Sequence, residues 1–474
     1  MINEIPNVHL FQIGKLYYIF DVNTNSIVKV NCDVYKYLHN ILNVQKIDQI
    51  ECNCIDDIEF LQSSGLLKAR KEDTKIEHPL TDQYSDMLKT DIKFITLQVT
   101  QNCNLRCSYC VYSGSYINRV HNNKRMDLDV AKRAVDYYYE HSSNIKSPAI
   151  GFYGGEPLLE FELIKNIVNY ADKKFKDRTL DYYVTTNATL LTDEIIEFFK
   201  NNRFHITISL DGPIDIQDRN RRFAENGKGT FNTVIENIEH IRKKYPDFID
   251  DITFNAVMDE KNDFTCTDRF FMNYEQVKDM NLTATIINDN SRKVKIRGNE
   301  EQYCNQRYET FLTYLSLIGR LKNHPCSKIV LQQLSGIEGN IFKRTVSSNV
   351  FGEKTHPAGP CIPGINRLFC NAYGALFPCE RVSETSPVMK IGNIYDGIDE
   401  DKGKTLLNIG KITEDECKNC WAFTLCGQCP TTADGITELS RENRLSKCKV
   451  RKYIADENLK EYAILKYFDY DFNL

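Results

Sequence analysis

Three closely spaced cysteines constrain this chain more than any other stretch of its sequence. Cys103, Cys107 and Cys110 form a Cys-x3-Cys-x2-Cys triplet directly after the apolar run at residues 94–99. Three thiolates on one short loop can bind three corners of a cubane iron–sulfur cluster, because soft sulfur ligands favour such clusters. The fourth iron is then open to a small chelating molecule. A structural zinc loop is the alternative, although zinc sites usually take four ligands from paired Cys-x2-Cys units.

Beyond residue 90, strand and helix patterns alternate steadily. Apolar runs predict strands at residues 94–99, 150–153, 182–186, 206–211, 252–258 and 284–287. Helical patterns lie between them, among them residues 128–140, 160–174, 193–200 and 231–243. This alternation is typical of α/β folds with parallel strands. In a barrel of such units the chemistry lies at the C-terminal ends of the strands, which is where the triplet falls.

The cysteine content bears on the expected compartment. The chain has 17 cysteines, of which three form the triplet and eight lie from Cys361 to Cys448. Cytosolic thiols are kept reduced, so this many cysteines are expected there mainly as ligands. The formal net charge is only −5, and the sequence has neither a long apolar run nor the basic start and apolar core of a signal peptide. We therefore expect a cytoplasmic protein with no nucleic-acid or membrane surface.

Polar and glycine-rich motifs follow three further predicted strands. Gly154-Gly155-Glu156-Pro157 follows the second strand, Thr185-Thr186-Asn187 ends the third, and Ser209-Leu210-Asp211-Gly212-Pro213 ends the fourth. Two glycines expose backbone groups at a tight turn. The run at residues 218–222 adds three arginines, and a planar guanidinium can bind a carboxylate bidentately.

The triplet and these motifs resemble the signature of the radical S-adenosylmethionine (SAM) enzymes. The resemblance implies a partial (βα)6 TIM barrel over residues 90–290, with SAM bound at the open iron of a [4Fe–4S] cluster on the triplet. It implies roles in SAM binding for residues at the strand ends: Tyr109 near the adenine, Gly154, Gly155 and Glu156 at the methionine ammonium, Asn187 and Ser209 at the ribose and methionine, and Arg221 at the carboxylate. Arg219 and Arg222 are equally compatible with a solvated basic cluster.

The C-terminal part carries a second group of cysteines. Cys361 and Cys379 precede a Cys417-x2-Cys420-x5-Cys426-x2-Cys429 run, and Cys448 follows it. A pair of zinc ribbons is the alternative, but the x5 gap and the outlying cysteines fit it poorly. The pattern resembles the SPASM domain of radical SAM enzymes, here residues 361–474, although relatives often have x3 before the position of Cys429. The resemblance implies two auxiliary [4Fe–4S] clusters, and therefore three clusters in all. Cys417, Cys420, Cys426 and Cys448 would bind auxiliary cluster II, and Cys361, Cys379 and Cys429 would bind auxiliary cluster I.

Two residues near Cys379 have open roles. Residues 367–379 predict a hairpin that turns near Tyr373-Gly374, which would place Cys370 on the same face as Cys379. Cys370 then either completes auxiliary cluster I, or it is a small buried hydrophobe and one iron of that cluster is free to take a substrate thiolate. We favour the second. Glu380 lies where sulfatase-maturing relatives carry a catalytic aspartate, so it is a candidate catalytic base. A surface glutamate is the alternative.

The ends of the barrel region suggest two further units. Residues 1–80 read as short strands followed by helical patterns at residues 33–42 and 55–67. They resemble the winged recognition (RRE) domain of peptide-modifying enzymes, in which a leader peptide adds a strand to a sheet edge. A simple cap on the barrel is the alternative. Residues 71–88 read as a charged linker, and residues 291–360 as a helical bridging region.

The combination of a leader-binding unit with a two-cluster domain favours one function. The resemblance implies a radical SAM peptide maturase that uses a 5′-deoxyadenosyl radical to form thioether crosslinks in a ribosomally made, cysteine-rich precursor peptide with a leader. A flavodoxin or ferredoxin would be its reductant. A sulfatase-maturing enzyme that oxidises Cys or Ser to formylglycine is the first alternative. A non-catalytic iron–sulfur carrier or peptide-binding scaffold is the second, but it has no use for a SAM pocket.

Overall fold

A three-stranded antiparallel sheet begins the chain. The computed structural model describes residues 2, 4–43, 53–70, 74–117, 119–259, 261–287, 290–294, 298–344, 353–357 and 361–473. The first elements are β1 (Val8–Ile13), β2 (Leu16–Asp21), β3 (Ser26–Val30), α1 (Cys32–Asn43) and α2 (Ile55–Ser63), with β2 at the centre of the sheet. Apolar residues from the sheet and both helices bury a small core, which includes Ile19, Leu38 and Ile58. The predicted strands and helices of this region are confirmed.

The segment that follows is not the unstructured linker expected at residues 71–88. It contains β4 (Lys75–Ile76) and α3 (Tyr84–Thr90). The side chain of Glu77 pairs with Lys354 at 2.7 Å and with Lys411 at 2.8 Å. Tyr84 is fully buried and donates its hydroxyl to the carbonyl of Pro363 at 2.8 Å. These long-range contacts hold the segment against the C-terminal part, and sequence periodicity cannot reveal such contacts.

Six parallel strands form the framework of the next part. The elements are β5 (Phe94–Thr100), α4 (Leu128–Glu140), β6 (Ala149–Gly154), α5 (Phe161–Lys174), β7 (Asp181–Thr186), α6 (Asp193–Asn201), β8 (Phe204–Ser209), α7 (Ile214–Asn220), α8 (Phe231–Lys244), β9 (Ile252–Met258), α9 (Phe264–Asn273) and β10 (Asn281–Ile286). Each strand pairs in parallel with the next one along the chain, from β5 to β10. The predicted partial (βα)6 barrel is confirmed, with boundaries within three residues of those expected.

The remaining elements connect the barrel to the C-terminus. They are α10 (Glu300–Leu317), α11 (Lys328–Asn340), β11 (Lys354–Thr355), β12 (Leu368–Cys370), β13 (Ala375–Phe377), β14 (Gly392–Asn393), β15 (Gly397–Ile398), α12 (Glu400–Leu407), α13 (Glu414–Lys418), α14 (Arg441–Ser446) and α15 (Cys448–Tyr467). The expected helices of the bridging region are present as α10 and α11. Strand β11 pairs in parallel with β4. Within the described ranges, none of the helices combines the length and apolar character needed to cross a membrane.

The sheet of the barrel continues into the C-terminal part. Strand β12 pairs in parallel with β5, so that Leu368 lies opposite Ile95 and Cys370 opposite Leu97. Strands β13, β14 and β15 extend the same sheet in antiparallel order, which gives ten strands in all. The predicted hairpin at residues 367–379 is confirmed as β12 and β13. Its pairing with β5 places the C-terminal cysteine region beside the barrel.

The first sheet packs against the C-terminal part through β1. The imidazole of His9 stacks on the indole of Trp421, with ring centroids 3.6 Å apart and planes inclined by 6°. The same imidazole is 2.7 Å from the carboxylate of Asp456 on α15. Phe11 belongs to the apolar cluster that also contains Leu459. Strand β1 therefore faces α15, while β3 forms the opposite edge of its sheet.

Candidate functional site

The cysteine triplet lies on the loop that leaves the C-terminal end of β5. Two backbone hydrogen bonds fix this loop to the segment around the end of α7: Arg106 donates to the carbonyl of Arg222 at 2.8 Å, and Ser108 donates to that of Asn220 at 3.0 Å. Burial raises the pKa of Cys103 and of Cys107 to about 12, and it also raises that of Cys110. Burying three thiolates is unfavourable unless cations accompany them, so the donor set suits iron.

The zinc alternative for the triplet gains no support. In the ranges that the structure describes, no group of three or more His, Cys, Asp or Glu side chains is arranged around a single metal ion. Cysteine ligands of a four-iron cluster bind separate corners and need no common point. The triplet therefore remains a candidate cluster loop.

The two glycines after β6 allow a close approach of two backbones. A Cβ atom on Gly154 would lie 1.9 Å from the carbonyl oxygen of Thr100, and one on Gly155 would lie 1.9 Å from that of Asn102. The amide of Gly155 donates to the Thr100 carbonyl at 2.9 Å. Gly154 also has a φ of +138°, which favours glycine. The motif thus holds the end of β6 against the start of the triplet loop, in addition to its expected role at SAM.

Glu156 is a buried carboxylate that organises the end of β7. It accepts hydrogen bonds from the backbone amide of Asn187 at 2.8 Å and from the hydroxyl of Thr186 at 2.7 Å. Burial raises the pKa of Glu156 to about 7, although these hydrogen bonds favour the ionised form. The side-chain amide of Asn187 donates to the side-chain oxygen of Asn104 at 2.8 Å. Asn187 is thereby joined to the triplet loop, and Ser209 lies buried at the corresponding end of β8.

Arg221 is held by a residue that was missing from the predicted site. Its Nε and Nη2 atoms contact the two carboxylate oxygens of Asp211 at 3.0 and 3.1 Å. The hydroxyl of Tyr109 donates to the same carboxylate, and the guanidinium lies 5.4 Å from the centroid of the Tyr109 ring. Asp211 and Arg221 are buried, and Tyr109 is half-buried. Asp211 uses two of the five guanidinium N–H groups, so a ligand carboxylate would have to bind through Nη1 and the second N–H of Nη2. Asp211 could have been found from its place after β8.

A buried ion pair joins the triplet region to the C-terminal part. Nε of Arg119 lies 2.8 Å from Glu384, and the two side chains are only 7% and 4% exposed. The hydroxyl of Tyr112 donates to Glu384 at 2.6 Å, and the side-chain amide of Gln98 donates to Tyr112 at 2.9 Å. A buried pair of this kind is costly to break, because removal of one partner leaves an uncompensated charge. No sequence motif marks these residues.

A small pocket of about 20 Å³, open to solvent, lies beside this ion pair. Its lining comes from both sides of the interface and includes Val111, Tyr116, Arg119, Arg381, Ser383 and Thr431. Val111 follows the last cysteine of the triplet, whereas Thr431 follows Cys429. The pocket therefore lies between the triplet loop and the loops that carry Cys379 and Cys429. This position suits a group that must reach both.

The C-terminal cysteines lie in two neighbourhoods. Burial raises the pKa of Cys426, and nearby Cys417 and Cys448 raise it further. Burial also raises the pKa of Cys420, and nearby Cys426 and Cys417 raise it further. These four positions are the ligands expected for auxiliary cluster II.

The second neighbourhood contains two of the three ligands expected for auxiliary cluster I. Burial raises the pKa of Cys379 to about 11, with smaller increases from Glu380 and Cys429. Cys361 is exposed, at the beginning of the described range 361–473. The structure thus brings Cys379 and Cys429 close together. Cys361 differs from both in being exposed.

Glu380 is not a surface residue. Its side chain is 14% exposed, and its Oε1 accepts a hydrogen bond from Arg367 at 2.5 Å. Its Oε2 is buried and has no hydrogen-bond partner among the described residues. The charge of Glu380 also raises the pKa of Tyr153, after the larger effect of burial. Tyr153 immediately precedes the two glycines, so Glu380 lies near the C-terminal end of β6.

Cys370 lies in the apolar core. It is fully buried in the cluster that also contains Leu97 and Phe377. Burial raises the pKa of Cys370 to about 12, and no other charged group contributes to the shift. This environment is that of a small hydrophobe.

Comparisons with known proteins agree with this geometry. A model of the radical SAM superfamily matches residues 97–263. A cysteine-type anaerobic sulfatase-maturating enzyme of Clostridium novyi is 33% identical over 148 residues, which make up 30% of this chain and 38% of that enzyme. The radical SAM cyclopropyl synthase TigE of Paramaledivibacter caminithermalis is 25% identical over 253 residues, or 48% of this chain and 51% of that one. This chain therefore spans about half the length of these curated relatives, or less.

A solved structure shares the fold. Native anSMEcpe with bound AdoMet and Cp18Cys peptide matches with a TM-score of 0.58 and 21% identity, over 79% of this chain and 99% of the other. The barrel and its C-terminal extension are thus an arrangement that is known from experiment.

The buried carboxylate of Glu156 predicts a specific pH dependence. Its pKa of about 7 in the folded protein exceeds the ordinary value of 4.5, so stability is retained below pH 4.5 and is lost as the pH rises through 7. The loss amounts to on the order of 3 kcal/mol. In Glu156→Gln this loss is absent. Urea unfolding of the cluster-free protein at several pH values measures this effect. The free energy of unfolding of the wild type, minus that of the variant, should fall as the pH rises.

Glu162→Gln provides a matched control, because Glu162 is an exposed residue on α5 that pairs with Lys165. It should follow the pH dependence of the wild type. A difference between Glu156→Gln and wild type that stays constant from pH 5 to pH 8 would contradict the assignment.

The environment of Cys370 predicts that its thiol is dispensable. Cys370→Val keeps the buried volume nearly unchanged, so the variant should fold and retain the iron content of the wild type, which would be about 12 irons per chain if it holds three cubanes. Iron analysis and electron paramagnetic resonance of the reconstituted protein measure this. Loss of one cluster signal in a folded variant would instead show that Cys370 is a ligand.

Proposed function

Since residues 97–263 form a radical SAM domain, we propose that the chain is a radical SAM peptide maturase. Its reaction joins the sulfur of a cysteine to a carbon atom within a ribosomally made, cysteine-rich peptide. The observation that carries this proposal is the pocket between the triplet loop and the loops of Cys379 and Cys429. A substrate group bound there lies between the site of SAM and a second set of cysteine ligands.

The residues at the strand ends hold SAM and its cluster. Cys103, Cys107 and Cys110 would hold a [4Fe–4S] cluster, and SAM would bind to it. When bound, this pair supplies a 5′-deoxyadenosyl radical that removes one hydrogen atom from the substrate. The residues of this chain hold one another in place by hydrogen bonds: Glu156 fixes Asn187, and Asp211 fixes Arg221 and Tyr109. Fixed partners of this kind orient a reactive group and exclude water from it.

Formation of the carbon–sulfur bond removes two hydrogens from the peptide. One leaves as a hydrogen atom to the radical, and the other leaves the thiol as a proton together with an electron. In this proposal Glu380 accepts that proton, and its buried Oε2, which has no hydrogen-bond partner among the described residues, supports the role. The auxiliary clusters would accept the electron. Their proposed ligands are Cys361, Cys379 and Cys429 for cluster I and Cys417, Cys420, Cys426 and Cys448 for cluster II. A flavodoxin or ferredoxin exchanges electrons with the enzyme.

The first sheet recruits the substrate by its leader. Strand β1 packs against α15, which leaves the outer edge of β3 (Ser26–Val30) for an added strand. Main-chain hydrogen bonds along such an edge give affinity with little dependence on side chains. In the described part of the chain, no strand pairs with this edge of β3.

One observation favours a second candidate, an anaerobic sulfatase-maturing enzyme. The solved structure that shares the fold holds AdoMet together with a peptide, and a sulfatase-maturating relative matches in sequence. Glu380 would then remove the proton from the hydroxyl or thiol that becomes formylglycine. That function has no use for a leader-binding sheet, and this favours the first candidate.

Co-expression with a cysteine-rich precursor peptide tests the function. Mass spectrometry should show a loss of two hydrogens for each bond formed. Alanine at Cys103, Cys107 and Cys110 should abolish both SAM cleavage and modification, whereas alanine at Cys417 and Cys420 should spare some SAM cleavage and stop modification. A well-folded Cys417/Cys420 variant that makes product at the normal rate would contradict the role of the auxiliary site. Conversion of a sulfatase peptide to formylglycine would establish the second candidate.

Hydrogen exchange tests the leader site. Addition of the leader peptide should slow exchange of the backbone amides in β3, because they become hydrogen-bonded to the added strand. The amides of β1 are the internal control, since that strand already faces α15. If the leader binds but exchange of the β3 amides is not slowed, β3 is not the leader site and residues 1–80 are only a cap on the barrel.

A further inference from the structure

The side chain of Arg444 is a buried cation without a carboxylate partner. Arg444 lies on α14 and is 1% exposed. Its Nε donates to the hydroxyl of Thr413 at 3.1 Å. Its Nη1 and Nη2 atoms are buried and have no hydrogen-bond partner among the described residues. An uncompensated charge in such a place is strongly unfavourable, so an anionic group is expected beside it.

The groups around Arg444 point to the cysteines as that anion. Thr413, which accepts its Nε hydrogen bond, lies 3.3 Å from the sulfur of Cys417. The charge of Arg444 lowers the pKa of Cys426, against the larger increase from burial. Cys448 lies four residues along the chain, at the start of α15. The same guanidinium thus lies near Cys417 and Cys426, two of the four ligands expected for auxiliary cluster II.

The other titratable neighbours do not neutralise Arg444. His356 lies close enough for Arg444 to contribute to lowering its pKa to about 4, after burial, so this imidazole is uncharged at neutral pH. Lys411 contributes to the same shift and is itself a cation. Among the described residues, Arg444 forms no ion pair with Asp or Glu, in contrast to Arg441 on the same helix, which pairs with Glu416.

We propose that Arg444 donates hydrogen bonds from Nη1 and Nη2 to the sulfur atoms of auxiliary cluster II and compensates its negative charge. This inference rests on the proposed assignment of Cys417, Cys420, Cys426 and Cys448 as ligands. Hydrogen bonds and positive charge at the sulfurs raise the reduction potential of an iron–sulfur cluster. One-electron reduction adds one negative charge to the cluster, and the fixed guanidinium stabilises the reduced form more than the oxidised form. Arg444 therefore makes this cluster the better acceptor of the electron that leaves the substrate.

A redox titration of the reconstituted full-length enzyme tests this role without any turnover. Arg444→Gln should lower the reduction potential of one auxiliary cluster by at least 59 mV, which is a tenfold change in a one-electron equilibrium. Arg444→Lys keeps the charge but not the planar fork, so its potential should lie between those of Arg444→Gln and the wild type. Arg441→Gln is the matched control and should leave all potentials unchanged.

Iron analysis and circular dichroism of the same samples separate the possible outcomes. Potentials equal to those of the wild type in Arg444→Gln, with full iron content, would overturn the proposal. If Arg444→Gln loses one cluster and Arg444→Lys retains it, the requirement for a cation is supported. Loss of that cluster from both variants, with the fold intact, would show that charge is not what Arg444 supplies.

Alanine at Cys417 and Cys420 should remove the cluster whose potential shifts. If that double variant keeps every cluster signal, the ligand assignment fails rather than the role of Arg444.

Discussion

The pairing of both edges of β5 is the constraint on which the rest of the site depends. On one edge β5 pairs with β6, and on the other it pairs with β12 of the C-terminal part. A strand inside a sheet cannot shift its register without disrupting both neighbours, because a slip of one residue turns every side chain to the opposite face. The triplet loop leaves the end of this doubly paired strand. Its position relative to the loop of Cys379 is therefore set by backbone hydrogen bonds, and the pocket between them follows from this pairing.

The site is built from buried charges, each of which needs a partner. Arg221 has Asp211, and Arg119 has Glu384. Such pairs contribute little net stability, since the desolvation of both ions offsets their attraction. They fix geometry instead, because the loss of either partner leaves a charge in a poorly solvated place. Arg444 differs, because in the described part of the chain it pairs with no Asp or Glu and its buried Nη1 and Nη2 atoms have no hydrogen-bond partner. An anionic group is therefore expected beside Arg444.

The sequence predicted the barrel well because its strands are apolar runs, of which β5 is almost fully buried, and its helices are amphipathic. Apolar runs located all six strands, and the turn residues at Gly154 and Gly155 located the end of β6. Contacts between distant segments could not be predicted in this way. Strand β12 has only three residues, too few for a periodic signal in the sequence. Its pairing with β5 could therefore not be predicted. Likewise, Asp211, Glu384 and Arg444 are single polar residues, and only the fold shows that they are buried. The region 71–88 was misjudged because its charged residues, such as Glu77, make long-range ion pairs rather than remain in solvent.

The two edges of the first sheet have different surroundings in the described part of the chain. Strand β1 is occupied by α15 and by the stack of His9 on Trp421, the residue that follows Cys420. Arg70, at the end of the same unit, donates to the carbonyl of Cys417 at 3.4 Å and lies 5.6 Å from the ring centroid of Phe423. The unit is thus anchored on the loop that carries two expected ligands of auxiliary cluster II. Because β2 lies between β1 and β3, a peptide added at β3 does not compete with this anchor. A leader bound at the edge of β3 would therefore be held at a fixed position relative to the loop of Cys417 and Cys420. The number of residues between the leader and the modified residue would then decide which residue reaches the pocket.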